Sequence, residues 1–65
     1  MNAVQERDAL ILGIEHVIEA KAELAHKYFK YPFADGSPIV RIDKAIAVLT
    51  EMRDLFEKYE ELLRQ

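Results

Sequence analysis

Cysteine and tryptophan are absent from this 65-residue chain, and glycine and proline occur only twice each. Without cysteine there is no disulfide and no thiolate zinc site. With only Gly13 and Gly36 there is no glycine-rich loop to cradle a phosphate. The single serine, Ser37, lies where a helix needs a cap, which leaves nucleophilic catalysis little to work with. No apolar run approaches the ~18 residues of a membrane span. Met1 is not followed by a basic and then apolar signal pattern, so the expected setting is cytoplasmic, with no membrane partner. A formal charge of −3 argues against broad electrostatic binding to nucleic acid, without excluding a local basic patch.

What the chain does have is apolar residues, 51% of the total, in helical rhythm. Ile42, Ala45, Leu49, Met52, Phe56, Tyr59 and Leu63 follow in alternating steps of three and four, the spacing of a helix seam that packs at a shallow angle. Val48, Leu55 and Leu62 flank that seam. Upstream, Leu10, Ile14, Val17, Leu24 and Tyr28 form one stripe, and Val4, Ile11, Ile18, Ala25 and Phe29 a second beside it. The interruption is Tyr31-Pro32-Phe33-Ala34-Asp35-Gly36-Ser37-Pro38. Pro32 pushes Tyr31 out of helical geometry, and Gly36 readily takes a positive φ. Asn2 with Gln5 reads as a capping box.

The expected fold is therefore all-α: a single domain, a two-helix antiparallel hairpin with helix one over about 3–30, a turn over 31–38 and helix two over about 39–63. Ser37 then Pro38 reads as N-cap and first helical residue, with Asp43 as a rival cap that would start the helix at Lys44. The apolar faces cover three positions in seven or more, too wide for a hairpin alone to hide. At this size a single core barely offsets chain entropy. Dimerisation into a four-helix bundle is the economical solution, with Ile11, Ile14, Ile18, Leu49, Met52, Phe56 and Tyr59 expected in the oligomer core.

Chemistry-bearing residues are sparse. Glu23-x-x-His26 has the spacing of a di-iron ligand pair, but at ~100° per residue both fall on the polar side of helix one, so no metal or cofactor is expected. Glu15, Glu19 and Glu23 form an acidic ladder that reads as a solvated face, and His16 as a boundary residue. Lys21 falls inside the apolar sector, between Val17 and Leu24. There it can snorkel, fix register, or serve an inter-subunit site with Arg7 and Arg53.

Charge is uneven along the chain. From Ala20 to Ala45 five cations face three acids, a balance of +2, while the remainder sets four cations against nine acids, a balance of −5. The basic end also holds Tyr28, Phe29, Tyr31 and Phe33, which either close the core, with Phe33 folding back over Tyr28, or present aromatic anchors. Lys30, Tyr31, Phe33 and Arg41 are the candidate partner-binding residues. The plan resembles plasmid RNA-binding hairpins and small type III secretion co-chaperones in architecture alone, and fold does not carry function. The expectation is a homodimeric interaction protein, a regulator, adaptor or co-chaperone with an unknown protein partner. Nucleic-acid binding by the basic aromatic end and a small helical enzyme around Lys21 are the alternatives.

Overall fold

In the computed structural model, residues 2–34 and 36–65 are described. Two helices, α1 (Ala3–Lys30) and α2 (Pro38–Leu63), pack against each other as a hairpin with Cα extents of 50 × 15 × 12 Å.

Each boundary has a local cause. At the start of α1 the Asn2 side chain accepts from the Gln5 N–H at 2.9 Å. The Gln5 side chain accepts from the Asn2 N–H at 3.3 Å in return, so two amides left open at the helix start are satisfied reciprocally. At the other end Tyr31 leaves helical geometry at φ −124°, as a residue preceding proline must. The Ala34 N–H then donates to the Tyr31 carbonyl at 3.2 Å, closing a turn with Pro32 at its second position. Gly36 has φ +90°, a conformation that side chains with a Cβ adopt only with strain. Asp35 lies outside the described residues. The Ser37 hydroxyl accepts from the Ile39 N–H at 3.2 Å, and Pro38 occupies the first turn. Of the two starts weighed for the second helix, the chain uses Pro38, and Asp43 lies within α2.

The helices meet along Ile11, Ile14, Ile18, Lys21, Ala25 and Tyr28 of α1, and along Arg41, Ala45, Val48, Met52, Leu55, Tyr59 and Leu62 of α2. Three of the expected seam residues on α2, Ala45, Met52 and Tyr59, do face α1. The other four do not: Ile42, Leu49, Phe56 and Leu63 are 41–54% exposed, whereas Val48 and Leu62, read as flanking, are buried. The hairpin is rotated so that Arg41, Val48, Leu55 and Leu62 turn inward and the row one residue further along the chain turns out. Among the described residues, no large side chain is fully buried; Ala25, Ala45, Val48 and Leu62 make up the buried apolar set. A two-helix seam of this kind covers one stripe per helix and leaves the rest of each wide apolar face in water.

Candidate interaction surfaces

Three cations cross the seam at three levels. At the open end Arg7 donates through Nη1 to the Gln65 main-chain oxygen at 2.6 Å. Its Nη2 lies 3.5 Å from the Asp8 carboxylate, and its buried Nε has no hydrogen-bond partner. In the middle Lys21 Nζ forms an ion pair with Glu51 Oε2 across the two helices. At the loop end Arg41, 3% exposed, donates from Nη2 to the Lys27 carbonyl at 3.3 Å. Its guanidinium lies 5.1 Å from the centroid of the Tyr28 ring. These contacts pair Arg7 with Gln65, Lys21 with Glu51 and Arg41 with Tyr28, a single hairpin register in which paired residue numbers sum to about 70.

Lys21 is thus neither free in a cleft nor simply snorkelling. It is partnered by Glu51, a residue that sequence reasoning missed because nothing in a single helix wheel says which carboxylate lies across the seam. Within the hairpin, the two other residues of the suggested inter-subunit site lie apart from Lys21. Arg7 binds the chain at Gln65, and Arg53 faces solvent with its side chain 82% exposed, 3.7 Å from Glu57. Glu23, His26 and His16 are all exposed, and the described residues contain no group of His, Asp or Glu able to hold a metal ion.

The candidate partner-binding residues separate. Tyr31 and Phe33 are 51% and 76% exposed, and Lys30 Nζ sits 5.4 Å from the Tyr31 ring centroid. Arg41 is in the seam. Phe33 does not fold over Tyr28; the Arg41 guanidinium covers that ring instead. The loop end therefore offers two aromatic rings and one ammonium group, with Arg41 working from behind as a packing residue.

The larger exposed features are two apolar rows, and they lie on opposite flanks of the hairpin. One flank carries Leu10, Val17 and Leu24 from α1, spaced by seven and 40–55% exposed. On α2 the same flank carries Glu51, reached by Lys21, with Lys44 and Lys58 seven residues to either side. The other flank carries Ile42, Leu49, Phe56 and Leu63 from α2. There Phe56 and Tyr59 share a cleft with Glu15, Ile18 and Glu19 of α1. Asp8, Ala22 and Phe29 continue the Glu15 row at intervals of seven. Ile39 and Ile46 widen the apolar surface of α2 on its outer side, 71% and 55% exposed. Of the expected oligomer core, Ile11, Ile14, Ile18, Met52 and Tyr59 are half-buried within the hairpin, while Leu49 and Phe56 are exposed on this second flank.

Fold and surface together define a two-helix hairpin with an apolar row on each side. No protein-family model, curated protein or solved structure matches the chain. Among the described residues, no helix is long and apolar enough to cross a membrane.

Proposed function

We propose that the chain is a small homodimeric helical-bundle interaction protein, a regulator, adaptor or co-chaperone that acts by binding another macromolecule. The observation that supports this reading is the pair of exposed apolar rows on a hairpin whose own core fully buries no large side chain. Rows of Leu, Ile and Phe at seven-residue spacing match what a helical partner requires, and apolar patches of this extent on a small protein mark association. One row serves a second copy. The other row and the exposed Tyr31 and Phe33 remain for a different partner, and exposed aromatic rings are common anchors in such contacts.

Sedimentation equilibrium at micromolar concentration tests the first half. A species of twice the 7.5 kDa chain mass is expected, and a well-folded monomer refutes the proposal. For the second half, partner capture from the native host is compared between the wild type and a Phe33→Ser, Tyr31→Ser variant, which should lose the partner while keeping its fold. Lys30 beside the exposed Tyr31 also suits stacked nucleic-acid bases. Affinity for single-stranded nucleic acid that falls steeply with salt would favour that second reading.

A further inference from the structure

We infer that the flank carrying Ile42, Leu49, Phe56 and Leu63 is the surface that meets a second copy of this chain, with the two hairpins antiparallel so that each loop lies beside the other's open end. This rests on the dimer reading above and goes beyond it by naming the face and the orientation.

The choice of face follows from what accompanies each apolar row. On the opposite flank, Leu10, Val17 and Leu24 run beside Lys44, Glu51 and Lys58, an alternation of charge with no lengthwise trend. Face-to-face packing there would bring charged side chains onto the rim at every level. On the Phe56 flank α2 contributes four large apolar residues in a row, widened by Ile39 and Ile46, and α1 adds Ala22 and Phe29. The formal charges on this side are weighted by position: Asp8, Glu15, Glu19 and Glu60 run from the middle to the open end, interrupted by Arg53 and Arg64, and Lys30 lies toward the loop.

That weighting selects the orientation. If the two loops lay together, a two-fold axis parallel to the helices would set α2 of one copy over α1 of the other. The α2 row would then meet the α1 row in the order Ile42 with Phe29, Leu49 with Ala22, Phe56 with Glu15 and Leu63 with Asp8. Both acidic open ends would then lie side by side, as would both basic loop ends, so like charges would gather at each end of the bundle. If the loops lie at opposite ends, a two-fold axis perpendicular to the helices sets α2 over α2 and α1 over α1. Ile42 then meets Leu63 and Leu49 meets Phe56 in both directions, an apolar zip centred between Met52 and Arg53, while along α1 Asp8 comes opposite Phe29 and Glu15 opposite Ala22. At the same time Lys30 comes to the level of Asp8 in the second copy, joining the basic and acidic ends. Arg53 and its symmetry mate flank the axis, each beside its own Glu57.

The absence of cysteine makes the test direct, because single-cysteine variants need no background substitution. Spin labels on Arg53→Cys, Phe33→Cys and Ala20→Cys are read by pulsed dipolar spectroscopy. Labels at position 53 should lie within about 20 Å of each other, given interaxial distances of 8–10 Å. Labels at position 33 should be at least ~40 Å apart, since each lies about fourteen residues along α1 from the level of the axis at 1.5 Å per residue. Labels at position 20, on the outward flank, should be roughly 30 Å apart across two helix layers. A short distance at position 20 with a long one at 53 overturns the face. A short distance at position 33 overturns the orientation. No dipolar coupling at any position, in a chain that still folds, overturns the dimer itself.

Discussion

Replacing Lys21 with leucine should leave the stability of the protein nearly unchanged, despite the loss of an ion pair. Lys21 sits at a seam position, its side chain 29% exposed, and its ammonium reaches Glu51, whose side chain is 58% exposed. An ion pair that open to water contributes about 0.2–1 kcal/mol. Burying a leucine fully is worth about 1.5–3 kcal/mol, so a site seven-tenths covered returns about 1–2 kcal/mol. About half of that, roughly 0.5–1 kcal/mol, is already supplied by the lysine methylenes lying along the seam. Leucine also frees the seam from a charge that must be kept partly hydrated. With the lost ion pair subtracted, the sum runs from about −0.5 to +0.8 kcal/mol, so the melting temperature should stay within ~5 °C of the wild type for a domain of this size.

Two comparison variants separate the contributions. Glu51→Gln removes the ion pair and little else, and should lower the melting temperature by no more than a few degrees. Lys21→Ala removes both pair and stem packing and should be the least stable of the three. Thermal melts followed by circular dichroism, at one fixed chain concentration because association shifts the midpoint, give the ranking. If Lys21→Leu melts more than about 5 °C below the wild type while remaining helical, the packing argument fails. Lys21 would then be fixing register or oligomeric state at a net gain.

Gly36→Ala should cost about 1 kcal/mol through its φ of +90°, read in the same melts, since there is open space around an added Cβ and only the backbone objects. Ala45→Leu should destabilise by ~1–3 kcal/mol, because Ala45 is 0% exposed at the level where Ala25 lies opposite and larger groups must push the helices apart. Phe33→Ser should leave the melting temperature within about 2 °C of the wild type, since a ring 76% exposed contributes little burial. A drop of more than about 5 °C would show instead that the ring closes the core.

The two helices were legible because their ends are written in local chemistry. Asn2 with Gln5 is a reciprocal cap, and Tyr31-Pro32, Gly36 and Ser37-Pro38 each force or favour a backbone geometry that needs no tertiary information. The outward positions of Glu23 and His26 were legible for a similar reason, since phase along one helix is fixed at ~100° per residue. What could not be read was anything that depends on how one helix is turned against the other. The Lys21–Glu51 pair, the placement of Arg41 over Tyr28 and the exposure of Phe33 all depend on that rotation.

The rotation was hidden because α2 carries two interleaved heptads that share a row. Ala45, Met52 and Tyr59 belong to both. Combined with Ile42, Leu49, Phe56 and Leu63 they form one seam, and combined with Arg41, Val48, Leu55 and Leu62 they form another. By hydrophobicity alone the first is the better seam, since the second contains an arginine. The hairpin nonetheless uses the second, and the arginine is accommodated by the Lys27 carbonyl and the Tyr28 ring at the end of the seam. A helix that needed only one neighbour would have no use for the other row, and solvent-facing positions would be expected to carry charge. That the more apolar of the two seams is left outside the hairpin is the strongest physical reason to look for what covers it. It also explains why a substitution at Leu49 or Phe56 should affect association more than the fold of the hairpin. These side chains are 43% and 45% exposed, with little hairpin packing to lose, whereas a change at Ala45 should disturb both.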